Sequence, residues 1–161
     1  MAGDCWQPPD GSWASDEATR KKMLGNRSRD TKPEMLVRSL LHRRGLRYRV
    51  GQRPIVNLRR TADLVFRSAK VAVFIDGCYW HGCERHYKEP LTNSDYWRAK
   101  IEGNRARDRD TNRALAEEGW LVLRFWEHED PEGVADTVER SISAQLGRLV
   151  VPNGQFCRKS G

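Results

Sequence analysis

Twelve residues, Ile75-Asp76-Gly77-Cys78-Tyr79-Trp80-His81-Gly82-Cys83-Glu84-Arg85-His86, restrict this chain more than any other stretch. They follow directly on Val71-Ala72-Val73-Phe74, so an apolar strand delivers the chain into a loop that no hydrophobic core requires. Two thiols and two imidazoles this close together suit a tetrahedral zinc ion. Adjacent Tyr79 and Trp80, with nothing apolar beside them, suit stacking on a base or wedging between base pairs. With Asp76 and His81 alongside, the mixture points to a nucleic-acid-cutting site carried on a zinc-stapled loop.

Charge supports a polyanionic partner. The net +7 of the 161 residues is uneven: residues 20–53 hold twelve Lys/Arg against Asp30 and Glu34, which leaves −3 for everything else. Phosphate contacts from such a block weaken with salt, whereas a merely solubilising surface shows no such dependence. Val71 to Ile75 is the longest apolar run and is far too short to cross a membrane. Asp4, Pro8, Pro9 and Asp10 interrupt any apolar region a signal peptide needs, so a cytoplasmic protein is expected. Disulfides are disfavoured there, and metal is the better reading for Cys78 and Cys83 than oxidation.

Residues 1–15 read as a flexible lead, 16–149 as one domain and 150–161 as a tail. A short helix is expected from Asp16 to Leu24. Thr31-Lys32-Pro33-Glu34 has the form of a capping box opening a helix to Arg44, with Met35, Leu36, Val37, Leu40 and Leu41 as its apolar stripe and Gly45 as its stop. Strands are expected over Leu46–Gln52, Ala62–Phe66 and Lys70–Ile75, with a tight turn at 67–69. A loop from Gly77 to Asn93 leads to a long helix from Ser94 or Asp95 to Glu118, then a buried strand Trp120–Trp126 and a helix Val134–Leu149. That order implies an α/β fold with a central mixed sheet covered on both faces.

Asp63 lies in the apolar run Ala62-Asp63-Leu64-Val65-Phe66, a costly place for a carboxylate unless it is paired or binds metal. Asp76 ends the next strand, so the two acids can meet at one sheet edge and serve a Mg2+ ion. Glu34 is either the acid of the capping box or a third member of that edge. His81 is either a zinc ligand or a general base, since imidazole titrates near neutrality. Asp108 is a candidate to orient it, although among Arg105, Arg107, Arg109 and Asp110 it reads from the residues alone as a solvated helix position. For zinc, Cys78-x4-Cys83-x2-His86 supplies three ligands, and His128, just after the Trp120–Trp126 strand, is the candidate fourth.

Four blocks together resemble the very short patch repair (Vsr) endonucleases: Ala62 to Phe66, Val73 to His81, Tyr96-Trp97-Arg98-Ala99-Lys100-Ile101 with Asn104 to Arg109, and Gly119 to Glu127. The likeness runs from about residue 16 to 145, and Gly77-Cys78-Tyr79-Trp80-His81 is its most specific part. It implies a PD-(D/E)XK, restriction-endonuclease-like fold, a structural zinc, and a Mg2+-dependent nick 5′ of the T in a T:G mismatch. It also implies double-stranded DNA as partner, a functional link to a cytosine-5 methyltransferase, and a monomer. By position, Asp63 matches the metal-binding acid, His81 the catalytic histidine and Asp108 the acid that orients it, which reverses the reading of Asp108 from its neighbours. Glu34 matches an acid near the site, and Tyr79, Trp80 and Trp97 the aromatics that wedge into DNA. Two departures stand out. Ile75-Asp76 replaces a Thr-His pair, so that the carbonyl of Ile75 and the Asp76 carboxylate become candidate Mg2+ ligands. Cys83, His86 and His128 exchange the usual order of zinc-loop ligands while keeping zinc-competent side chains.

Two other readings stay open: a restriction-like or repair nuclease with a different DNA trigger, and a non-catalytic zinc-stabilised DNA-binding module. Buried acids speak against the second, because binding alone favours basic residues.

Overall fold

The computed structural model describes residues 29–89 and 93–150, so the expectations for the lead, the 16–24 helix and residues 151–161 lie outside the described residues. Helix α1 is Lys32–Arg43, α2 is Ser94–Glu117 and α3 is Pro131–Val150; strands β1 to β4 are Arg49–Gln52, Ala62–Phe66, Val71–Asp76 and Leu121–Trp126. The four-stranded sheet runs in the order β1-β2-β3-β4, with β1 and β3 antiparallel to β2, and β4 parallel to β3. A parallel pair needs a crossover, and α2 supplies it. Among the described residues no helix is long and apolar enough to cross a membrane.

Alternation along the strands divides the core between the two faces. Leu64, Phe66, Val71 and Val73 meet Val37 and Leu41 of α1 and Val134, Val138 and Ile142 of α3. Val65, Ala72 and Phe74 face the other way, onto Leu115 of α2 and Trp120. Leu64, Val71 and Val73 are fully buried, and each such side chain is worth about 1.5–3 kcal/mol relative to exposure. The mixed sheet covered on both faces is therefore as expected.

The differences have local causes. The buried face of α1 is Glu34, Val37 and Leu41, whereas Met35 and Leu36 are about half exposed and do not belong to the stripe. The expected reciprocal cap is absent: Thr31 caps no backbone N–H, and its hydroxyl donates instead to Glu34 Oε1 at 2.8 Å. Strand β1 is three residues shorter than expected, with Leu46 packed against the core ahead of it. Lys70 belongs to the turn, at φ 50°, and β3 starts at Val71. Strand β4 is half-buried rather than buried, and among the described residues it has a neighbour strand on one side alone. Helix α3 starts three residues early, where Asp130 Oδ2 accepts from the Gly133 N–H at 2.9 Å and Pro131 takes the first helical position.

Candidate active site and metal centre

Strands β2 and β3 bring Asp63 and Asp76 to the same end of the sheet. The Asp63 Oδ2 accepts from the Ile75 N–H at 2.7 Å, so the carboxylate takes the place of a backbone partner in the ladder. Burial pushes the Asp63 carboxyl up to about 6; the Ile75 N–H opposes this, and the charges of Glu34 and Asp76 add to the rise. Glu34 is itself buried, and its two oxygens accept from the Asp30 N–H at 2.9 Å and the Thr31 hydroxyl at 2.8 Å. It thus closes the start of α1 without forming the reciprocal capping box, and it lies near enough to Asp63 for its charge to raise that carboxyl.

Beyond Asp76 the chain turns into the loop that carries His81. The His81 Nδ1–H donates to Asp108 Oδ2 at 2.6 Å, and its Nε2 lies 3.9 Å from Asp76 Oδ1. Burial disfavours the imidazolium, but the Asp108 hydrogen bond and the charges of Asp76 and Asp108 outweigh it, holding His81 above its ordinary value. For Asp108, burial acts upward, yet the bond to His81 and the charge of Arg124 hold it below the usual carboxylate range. Asp108 is only partly exposed, so the solvated-helix reading suggested by its neighbours does not describe it. Asp76 points into this cluster and not to solvent: Arg124 Nη1 donates to its two oxygens at 2.7 and 2.8 Å.

Helix α2 grips the loop from one face. Asn104 Nδ2 donates to the Trp80 carbonyl at 2.8 Å and Arg105 Nε to the His81 carbonyl at 3.1 Å. Gly82, at φ 65°, lies so close to this face that a Cβ would meet Ile101 Cγ2 at 2.8 Å. Ile101, Asn104, Arg105 and Asp108 follow the i, i+3, i+4, i+7 pattern of one helical face. That spacing was the available signal for Arg105, which sequence reasoning missed as a site residue. Arg124 was also missed; it is the one charge in Leu121-Val122-Leu123-Arg124-Phe125-Trp126. Glu127 was missed too, and its Oε1 accepts from the Cys78 N–H at 2.7 Å.

The four expected metal-site side chains form a second cluster. Cys78 Sγ lies 3.0 Å from His128 Nδ1 and 3.7 Å from His86 Nδ1, and Cys83 Sγ lies 3.8 Å from each. A tetrahedral ion with zinc-like bond lengths has sulfur–nitrogen edges of roughly 3.5 Å. The ligand atoms of all four residues fall within 4.8 Å of one another. Burial, the neighbouring Cys83 thiol and Glu127 push the Cys78 thiol up to about 12, a state that a bound dication reverses by favouring thiolate. His86 and His128 pack edge to face at 4.3 Å, and Trp126 stacks on His128.

Of the three aromatics, Trp97 is placed differently from the wedge that the resemblance implies. Trp97 is buried, 5% exposed, under Tyr79 and Trp80, with ring centroids 5.3 and 5.9 Å away. Tyr79 and Trp80 are half-buried and meet each other edge to face at 5.5 Å. Trp97 therefore supports the other two in the free protein. Between His81, Arg105, Asp108 and the metal-site loop lies an open cavity of about 760 Å3.

A mixed sheet with acids on adjacent strands and a histidine–carboxylate pair beside them is of the restriction-endonuclease-like class. Residues 14–87 match the family model of the DNA mismatch endonuclease Vsr. The type II nicking enzyme V.NaeI of Lentzea aerocolonigenes is 45% identical over 122 residues, 74% of this chain and 74% of that protein. V.XorIIP of Xanthomonas oryzae pv. oryzae, also a type II nicking enzyme, is 45% identical over 117 residues, 71% of this chain and 83% of its own length. The DNA mismatch endonuclease Vsr of Escherichia coli K12 is 38% identical over 114 residues, 70% of this chain and 71% of that protein. This chain belongs to the Vsr endonuclease family.

Proposed function

We propose that this chain is a DNA endonuclease that nicks one strand of a duplex 5′ of the T in a T:G mismatch, with His81 as general base. The observation that carries the reading is the 2.6 Å bond from His81 Nδ1 to Asp108 Oδ2 beside a cluster of acids. With Nδ1 committed, Nε2 is the nitrogen left to accept the proton of an attacking water beside the cavity that His81 lines, and Asp108 stabilises the resulting imidazolium. Asp63 and Asp76, with the Ile75 carbonyl beside them, would hold Mg2+, and the desolvated like charges of Asp63, Glu34 and Asp76 suit a dication. When bound, Mg2+ supplies positive charge to the phosphate under attack. Cys78, Cys83, His86 and His128 would hold zinc, a structural role that needs no open coordination position.

Tyr79 and Trp80 are the faces offered to bases, with Trp97 bracing them. Stacking on them offsets what is lost where a mismatch unstacks, and a wobble pair unstacks more easily than a Watson–Crick pair. A T:G pair arises when a cytosine-5 methyltransferase product deaminates, which links such an enzyme to that methylation in a cytoplasmic setting. The relatives named as nicking enzymes and as a mismatch endonuclease support this reading over a non-catalytic module.

The test uses strand-labelled duplexes differing only in T:G against T:A, with Mg2+ or a chelator. A single break 5′ of the mismatched T, dependent on Mg2+ and abolished by Asp63→Asn, is expected. Equal cutting of T:A would point to another trigger, and tight binding without a break under any condition would leave only a binding module.

A further inference from the structure

Asp76 ends β3 and Asp108 sits in the middle of α2, yet both flank one imidazole. His81 Nδ1 is 2.6 Å from Asp108 and Nε2 is 3.9 Å from Asp76. Two carboxylates held this close repel unless a cation lies between them. Arg124 of β4 is that cation. Its Nη1 donates to Asp76 at 2.7 and 2.8 Å, its Nη2 lies 3.0 Å from Asp108 Oδ1, and its Nε donates to Asn112 Oδ1 at 3.0 Å. The guanidinium also lies over the Phe74 ring, 4.4 Å from its centroid. Each nitrogen is therefore engaged, and the plane is fixed from β3 and α2 together. A rigid planar fork can serve three acceptors at once, which a lysine ammonium on a flexible stem does not reproduce.

We propose that Arg124 is a positioning residue of the nicking centre, tying Asp76 on β3 to Asp108 on α2 and thereby holding the His81 imidazole in one orientation. The inference rests on the nicking reading, in which His81 must present Nε2 to water. Arg124 acts through the two acids and does not touch DNA. A reacting group displaced by about 1 Å costs on the order of 100-fold in rate, which sets the size of the expected effect.

The experiment compares wild type with Arg124→Lys and Arg124→Gln in two ways. Single-turnover nicking of the T:G duplex at saturating protein is measured beside equilibrium binding of the same duplex in chelator. Ring-nitrogen spectra of histidine-labelled protein then report the His81 tautomer without DNA. Expected is a rate loss of about 100-fold in both variants, binding within a few-fold of wild type, and replacement of a single Nδ1-protonated tautomer by a mixture. Near-normal nicking by Arg124→Lys would overturn the proposal, since charge alone would then suffice. Parallel loss of rate and binding would also overturn it, marking Arg124 as a phosphate contact. Should wild type cut no duplex, the nicking reading fails by itself, and an unchanged His81 spectrum in Arg124→Lys would then defeat the positioning role separately. If the Arg124 variants do not fold, Asn112→Ala, which frees only Nε, should slow nicking about tenfold, a fraction of the 100-fold misplacement cost; an unaltered rate counts against the proposal.

Discussion

A carboxyl that burial raises from its ordinary 3.8 to about 6 is ionised at neutral pH only against the fold, and Asp63 is such a group. In the unfolded chain it releases its proton near 3.8, in the folded chain near 6, so the native state holds that proton more tightly. The contribution to stability is favourable below the unfolded value and is lost as pH rises through 6. By pH 7 the ionised group costs roughly 3 kcal/mol relative to a neutral one. Asp63→Asn keeps an oxygen for the Ile75 N–H and removes the charge. Without divalent ions at pH 7.5 it should melt about 5–10 °C above wild type, lose that advantage at pH 4, and nick no DNA. A variant that melts no higher at pH 7.5 would show that the site is better hydrated than its burial implies. The cost at Asp63 was legible in the sequence, because an acid between Ala62 and Leu64 in a strand has nowhere to hide. Asp108 was not: its charged neighbours suggested solvent, and family resemblance had to supply what the fold alone makes visible, a bond to a residue 27 positions away. Arg124 escaped for the same reason, since a lone arginine in an edge strand has an ordinary explanation and its partners lie 12 to 48 residues away.

The loop after β3 contains no regular structure up to α2 among its described residues, and what orders it comes from elsewhere. On one side Asn104 and Arg105 of α2 hold the Trp80 and His81 carbonyls. On the other, Cys78, Cys83, His86 and His128 gather within 4.8 Å, tying the loop to the end of β4. Ligand clustering of this kind could be read from spacing for the first three residues, and His128 by elimination among the chain's four histidines. The helical clamp was less legible, because a face composed of Asn, Arg and Asp looks like solvated surface until a polar loop lies on it. If the cluster holds zinc, metal binding contributes directly to the folding of this loop. Purified protein should then carry close to one zinc per chain, and Cys83→Ala or a strong chelator should lower the melting temperature along with nicking. Full metal loss with an unchanged melting temperature would mean that the helical clamp suffices and the cluster is dispensable.

Across the whole molecule, charge is segregated in a way that single elements do not reveal. Between Glu34 and Asp63 the chain has eight arginines and no acid. Arg44 is drawn onto Glu132, Asp136 and Glu139 of α3, where it fastens two helices. Arg47, Arg49 and Arg53 stand exposed along and just beyond β1, and among the described residues no acid pairs with them. Among the described residues strand β1 is an edge, and its last residue, Gln52, pairs with Ala62 beside Asp63, so this arginine row leads toward the end of the sheet that carries Asp63 and Asp76. Two physical roles fit a charged edge: keeping other strands from pairing with it, or following a phosphate backbone. They separate by experiment. If the row follows the duplex flanking the nick, replacing Arg47, Arg49 and Arg53 together with Ala leaves the phosphates along that edge without their cations. The log–log slope of binding against salt should then become shallower by roughly 0.9 for each phosphate no longer neutralised. Affinity should fall alike for T:G and T:A duplexes, because phosphate contacts carry no base information. The single-turnover rate at saturating protein should stay near wild type, since His81, Asp108 and Asp63 are untouched. An unchanged slope, together with a new tendency to self-associate, would assign the arginines to guarding the edge and leave the duplex to be held elsewhere.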